Sequence, residues 1–543
     1  MARAGALAAA IAVSLLAVSG AGGAATQQTP KRGGTVVVAA DAEPACIAVY
    51  VGTCLGGDLL THMAWLPAMV LPGAFEMGSD LIRRPKLVSH VDVTTSAPFA
   101  LTYHIRSQAR WSDGRPVTAR DFVFTFETVR RYADQILSFE RANFDRVRSV
   151  NAVDRKTVRV VLRSRWAGWP LLFSAVLPRH VLAGENYPEV WKDRIHDPKT
   201  SRPIGSGPFL VAGWERGRRL TLVRNPRYWG KHTAYLDRLV FFFDASSDPI
   251  AALSRGEVDH VWGLSPDSIP SLRAISGVTV RTGSAPALEH FGIRVGPGGN
   301  LVLRRSKLAR RALAYGIDRQ AIVRELYGAA APSQRLADNM FFMNASPYYR
   351  PNWSRYHYRP DQARRLLEQA GCRRGADGIY SCEGQRLSLR FYARADRAHR
   401  VRAVELAQAQ LRRVGIEVVP TFTSGNTLVN QVLPSGNFDV VTLAFFWAPP
   451  DENVPYYLRC GASDYIGYCQ RLVDADLDQA DRILDTDRRA AVLNRADTQV
   501  ARDVPVIPLY WGPLVAATAR SVHGYVFHPS QPFWGAENWW LAD

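Results

Sequence analysis

The chain has 543 residues, 47% of them hydrophobic and 21% charged, an ordinary globular balance that excludes a disordered or fibrous chain. Single hydrophobic cores stop growing near roughly 250–300 residues, so this length predicts at least two lobes. The net charge of +18 fits a nucleic-acid binder or an arginine-rich solvated surface, and the export signal described next favours the surface, which also suits approach to anionic lipid headgroups.

Residues 1–25 read as a signal peptide. Arg3 is the basic start, Ala6 to Val18 is an apolar run too short to span a bilayer, and Gly20 to Ala25 is a small-residue stretch with cleavage expected after Ala25. The alternative is a buried N-terminal helix. No cysteine stands beside that site to carry a lipid, and no later run of about 18 apolar residues follows. The mature protein is therefore expected to be exported, periplasmic and soluble.

The six cysteines form three local pairs, Cys46 with Cys54, Cys372 with Cys382 and Cys460 with Cys469. Short loops cost least entropy to close, and export permits oxidation, so nearest-neighbour disulfides are expected. Zinc is disfavoured, because no Cys-x-x-Cys and no paired histidines flank these positions.

After a polar tether, Thr35 to Ala40 is a β-branched run read as a buried strand, and residues 44–80 read as apolar loop. Leu101 to Arg106 alternates like a strand. Asp113-Gly114 marks a turn, and Thr118 with Asp121 forms a capping box before a helix over Phe122 to Arg130. Arg218 to Asn225 and Leu239 to Phe243 are strands, and Ile250 to Gly256 is a short helix. Lys307 to Tyr327 carries apolar residues at helical spacing, as does Pro360 to Ala370. Leu387 to Phe391, His399 to Val414 and Ile416 to Val419 give strand, helix, strand. Phe438 to Phe446 is apolar and buried, Leu472 to Leu484 is an amphipathic helix, and Ile507 to Trp511 is a late strand. The class is α/β, without internal repeats.

Four blocks in this order resemble the extracytoplasmic binding proteins of peptide and nickel importers, the bacterial solute-binding family 5. They are Trp111-Ser-Asp-Gly-Arg-Pro-Val-Thr-Ala-Arg-Asp121 with its helix; Pro203-Ile-Gly-Ser-Gly-Pro-Phe209 with Leu222-Val-Arg-Asn-Pro-Arg-Tyr-Trp229; Arg310-Arg-Ala-Leu-Ala-Tyr-Gly-Ile-Asp-Arg319; and Gly467-Tyr468 to Val473-Asp474 with Ala480. The resemblance covers nearly the whole mature chain.

It implies a two-lobed periplasmic-binding-protein fold with a ligand cleft between the lobes. Lobe I would comprise residues 26–58, 203–285 and 505–543, with an extra subdomain at 59–202; lobe II would be 286–504. The crossing strands would lie near Glu289–Val295 and Val506–Trp511. The implied function is capture of a small ligand, most simply a peptide, by hinge closure and its delivery to an ABC permease in the inner membrane. No cofactor, metal, catalytic residue or nucleic acid is implied, and the protein would be a monomer.

Peptide binders of this family hold the ligand's amino group with an acidic residue three positions after a tryptophan. The matching tryptophan here is Trp447, but the third position after it is Pro450, and Asp451 follows. Either Asp451 takes the role through a shifted loop or the ligand lacks a free amino terminus. Glu43 matches a position at the cleft edge. Phe446, Trp447, Tyr510 and Trp511 are expected ligand-facing rings, Phe445 is expected in the core, and His290 is placed beside the cleft, where a metal or acidic ligand could meet it.

Asp474, Asp476 and Asp478 hint at calcium, but Gln479 stands where a calcium loop needs glycine, and the segment reads as helix. No zinc-protease, nucleophile-elbow or phosphate-loop motif occurs. Other readings are the same fold binding a nickel chelate, sugar, opine or hydrophobic molecule, a sensory or adhesive protein, and, from another class, a secreted hydrolase with a sequence-distant triad.

Overall fold

The computed structural model describes residues 29–40, 43–55, 65–243, 248–328, 336–446, 458–461 and 465–542. The signal-peptide reading of residues 1–25 lies outside them. Two long antiparallel strands, Val278–Ile293 and Val506–Ala519, form the centre of a ten-stranded sheet. Outward from Val278–Ile293 come Val440–Phe446, Ser388–Arg394 and Glu417–Thr423. Outward from Val506–Ala519 come His260–Leu264, Thr35–Ala39, Arg238–Phe242, Arg219–Arg224 and Phe209–Glu215.

Each long strand changes neighbours midway. Val278 to Ser284 pairs with Pro513 to Ala519, whose other edge carries His260–Leu264. Leu288 to Gly292 pairs with Val506 to Trp511, and its own other edge carries Val440–Phe446. Between these halves the ladder breaks: Ser284 faces Pro513 and Leu288 faces Trp511, so residues 285–287 oppose Gly512 alone. Pro286 has no N–H for a ladder. A Cβ at Gly512 would meet Ala287 Cβ at 3.4 Å, about van der Waals contact.

Buried side chains gather into two large clusters. One includes Val36, Tyr103, Trp111, Phe122, Phe173, Leu239 and Trp539; the other includes Leu288, Phe291, Leu313, Trp353, Leu389, Leu493 and Tyr510. Each buried aliphatic or aromatic side chain contributes about 1.5–3 kcal/mol relative to exposure, so each cluster carries a lobe-sized core.

A second, four-stranded sheet has the order Val88–Thr94, Ala100–Ile105, Thr157–Leu162, Val147–Ala152. The alternation expected in Leu101 to Arg106 appears as Leu101, Tyr103 and Ile105 buried, with Thr102 and His104 on the other face. Helix Ala119–Arg131 follows, and its capping box forms as read: Thr118 N donates to Asp121 Oδ2 at 2.8 Å. The other carboxylate oxygen of Asp121 accepts from Arg179 N at 2.9 Å, tying the helix start to that of the short helix Arg179–Leu182.

The motif blocks prove to be scaffold. Ser112 N donates to Gly205 O at 2.8 Å, and Ser206 N and Gly207 N both donate to Val70 O at 3.0 Å. A Cβ on Gly207 would stand 2.1 Å from Met69 O, so only glycine permits this approach. Trp229 Nε1 donates to Ser206 O at 2.8 Å and Asn225 Nδ2 to Gly207 O at 2.8 Å. Arg319, in the third block, is buried and donates to Pro508 O at 3.0 Å on the second crossing strand and to Asp338 Oδ1 at 2.8 Å.

Three features differ from the sequence expectations. The helix expected over Lys307 to Tyr327 is two, Lys307–Gly316 and Arg319–Tyr327, because the Asp318 carboxylate accepts from Ala321 N at 2.8 Å and starts a new helix. The 18-residue helix Thr486–Asp503 was not anticipated. Residues 44–80 are not all loop, since Trp65–Met69 is helical and Phe75–Met77 pairs with Arg83–Pro85. The three nearest-neighbour disulfides are formed. The triple-aspartate segment lies on helix Arg471–Arg482, where Asp476 pairs with Arg495 and Asp478 with Arg459, ion pairs on a helix rather than a calcium loop.

Candidate functional site

One crossing strand carries a buried ion pair beside the second cluster. Glu289, in mid-strand and 7% exposed, faces Tyr510 on the neighbouring strand. Arg400, on helix Ala398–Arg413, reaches it with two nitrogens: Nε donates to Oε2 at 2.9 Å and Nη2 to Oε1 at 2.8 Å. His399 Nε2 stands 3.5 Å from Oε1. Burial works to raise the Glu289 pKa, but the Arg400 guanidinium, helped by His399, holds it at about 2. A bidentate guanidinium is the partner best able to offset the cost of enclosing a carboxylate.

The rings around this pair are packed. Tyr510 is 1% exposed, and its hydroxyl lies 3.1 Å from that of Tyr327. Trp511 is 2% exposed. Both were expected to face ligand; in this conformation both are enclosed in the second cluster. Phe445 is buried, as expected of a core ring. Phe446 ends its strand with its backbone paired to Ala287.

His290 is also fully enclosed. Its Nδ1 contacts Leu288 O at 2.9 Å, its Nε2 contacts Tyr465 Oη at 2.6 Å, and its ring stacks on Phe445 with centroids 3.9 Å apart. Burial pushes its pKa down to about 4. A neutral imidazole with both nitrogens engaged offers a metal no lone pair, so the expectation of a metal or acidic ligand at His290 is not met in this conformation.

Glu43 has different partners from this group. Its carboxylate accepts from Trp214 Nε1 at 2.7 Å and from Gly217 N at 3.0 Å, stapling the segment after the first strand to the hairpin joining Phe209–Glu215 and Arg219–Arg224. Trp447, Pro450 and Asp451 lie outside the described residues, so their expected roles have no structural account. The residues that sequence reasoning missed are Glu289, Arg400 and Tyr327. A signal was present: a glutamate beside a histidine inside an otherwise apolar strand requires an internal partner.

The region that holds the four-stranded sheet also touches the second cluster's side of the molecule. Ala167 N donates to Asp481 O at 2.7 Å, and Arg146 Nη2 stands 3.0 Å from Asp481 Oδ2 while its guanidinium covers the Trp166 ring. Among the described residues no helix is long and apolar enough to cross a membrane.

The family described as bacterial extracellular solute-binding proteins, family 5 (middle), matches residues 85–465. The oligopeptide-binding protein OppA of Mycobacterium tuberculosis is 26% identical over 479 residues, covering 86% of this chain and 78% of OppA. Among solved structures, the periplasmic EDTA-binding protein EppA matches with a TM-score of 0.84 at 20% identity, covering 95% of this chain and 98% of EppA. The oligopeptide-binding protein AppA of Bacillus subtilis, solved with a nonapeptide, matches with a TM-score of 0.73 at 22% identity, covering 95% and 100%. These likenesses establish the two-lobed periplasmic solute-binding fold.

Proposed function

The chain belongs to the bacterial extracellular solute-binding proteins of family 5, and from that premise we propose that it captures a peptide or peptide-like solute outside the cytoplasm for an ABC importer. Supporting the peptide reading is the sequence relationship to oligopeptide-binding OppA over most of both chains. The family's members bind rather than catalyse, so no residue is assigned a catalytic role.

In this reading the lobes are 26–58 with 203–285 and 505–543, carrying the subdomain 59–202, against 286–504, and the ligand lies between them beside the crossing strands. The observation that carries the hinge is the broken ladder at residues 285–287 and Gly512, where each crossing strand passes from one half of the sheet to the other. Few ladder bonds need change there for the halves to rotate. Closure would select a conformation already sampled by the free protein.

The Glu289–Arg400 pair, closed on itself, braces the crossing strand against helix Ala398–Arg413 beside the proposed cleft. Asp451, Trp447, Phe446, Tyr510, Trp511 and Glu43 remain the proposed ligand contacts, with the enclosed rings and Glu43 acting by shaping the walls unless the lobes open. The mature chain after Ala25 would be a soluble monomer serving an inner-membrane permease. A second reading, a chelate or other non-peptide solute, is favoured by Pro450 at the position of the family's amino-group anchor. Tryptophan fluorescence titration with defined peptides tests the first reading: saturable changes with di- to nonapeptides support it, and silence toward all of them with saturation by a metal chelate supports the second.

A further inference from the structure

The outer face of the four-stranded sheet carries a cluster that solute capture does not use. His90 on the edge strand Val88–Thr94 stands directly opposite His104 on Ala100–Ile105. Asp92, two residues beyond His90, points to the same face, since strand side chains alternate. The three ligand-capable atoms lie within 4.8 Å of one another. His104 Nε2 is 2.8 Å from Asp92 Oδ2, and the two imidazoles stack with centroids 4.1 Å apart at an interplanar angle of 9°.

We propose that His90, Asp92 and His104 form a surface site for a divalent transition-metal ion of the zinc class. Two imidazoles and one carboxylate match the borderline donor set that such ions prefer, whereas magnesium and calcium favour all-oxygen sites. Bonds of about 2.0–2.1 Å in a tetrahedral arrangement place donor atoms about 3.3 Å apart. The His104–Asp92 pair needs to widen only slightly, with the ion replacing the proton now shared between them. The exposed His90 ring already places a ligand atom within 4.8 Å of the other two, so only a small side-chain adjustment closes the remaining gap.

The surroundings set the tautomer. The Ser89 hydroxyl donates to His104 O at 3.2 Å and lies 3.0 Å from His90 Nδ1. With its one proton on that carbonyl, Ser89 accepts from Nδ1–H, which leaves the lone pair of His90 on Nε2. An imidazole whose second nitrogen is held in this way is pre-oriented for metal. The neighbouring charges are mixed. Asp154, held below the ordinary carboxylate range first by the Lys156 N–H and, among lesser causes, by His104, favours a cation. Arg159, opposite Thr102 on the next strand, opposes one. A solvent position on the open side completes the coordination.

The test is calorimetric titration of the untagged mature protein with zinc chloride at pH 7.5. The expected result is one equivalent bound, with affinity at least about tenfold weaker in His90→Ala and in His104→Ala. All three side chains are solvent-accessible, so circular dichroism should find both variants folded. The proposal is overturned if the wild type takes up no zinc, or if His90→Ala and His104→Ala bind it as tightly as the wild type. Either result leaves solute capture by the cleft untouched.

Discussion

Arg400 grips Glu289 with two nitrogens, 2.9 and 2.8 Å from the two carboxylate oxygens, inside the second core cluster. Removing one partner of a buried pair leaves the other charge enclosed and uncompensated, at a cost of about 3–5 kcal/mol. Glu289→Gln should therefore lower unfolding stability by that amount in urea titrations, while the double replacement Glu289→Leu with Arg400→Met should recover most of it. If the single variant is as stable as the wild type, the pair is not enclosed as described.

Two buried groups give opposite pH dependences in one window. The Glu140 carboxyl is pushed up to about 7, chiefly by burial. Its folded value exceeds its unfolded one, so it favours the fold below pH about 4.5, and that advantage is lost as pH rises toward 7. His290, pushed down to about 4 by burial, does the reverse: its contribution is present above pH about 6.5 and lost as pH falls toward 4. Each is worth about 3 kcal/mol at its limit. Glu140→Gln should be more stable than the wild type at pH 8 and equal to it at pH 4. His290→Phe should flatten the acid limb. Melting curves across pH 4–8 read both effects.

The Cys372–Cys382 bridge links directly opposed residues of a hairpin and closes a loop with a sequence separation of 10. By the chain-entropy relation it contributes about 2–3 kcal/mol. Replacing both cysteines with serine should lower the unfolding free energy by that amount, and thiol titration of the denatured, unreduced wild type should find no free thiols.

Arg146 and Asp481 join the region of the four-stranded sheet to helix Arg471–Arg482. If this contact belongs to the closed form, Arg146→Ala should weaken solute affinity. Arg146 is 40% exposed, so screening limits the pair to about 1 kcal/mol, or about fivefold. Unchanged affinity would mark the contact as independent of closure.

How much of this was legible in the sequence depends on how local each signal is. Strand alternation at Leu101 to Ile105, the Thr118–Asp121 cap and the short disulfide loops involve neighbours in the chain, and each appears as read. The break at Ile317 was carried by Asp318, a helix-starting residue hidden inside an apolar pattern. The glycines and aromatic residues of the motif blocks announced the family yet proved to hold loops together at Gly205, Gly207, Asn225 and Trp229. The Glu289–Arg400 contact joins residues 111 positions apart, a distance at which one sequence carries no pairing information. The enclosure of Tyr510, Trp511 and His290 likewise depends on packing from several segments, which residue type alone does not reveal.

The most direct test of the account is mass spectrometry of small molecules released on denaturing protein purified natively from the exporting cell. A set of short peptides, bound in stoichiometric amount and lost after opening of the cleft, is the predicted result. A single non-peptide species or metal chelate would contradict the peptide assignment and make the loop around Pro450 the feature that sets specificity.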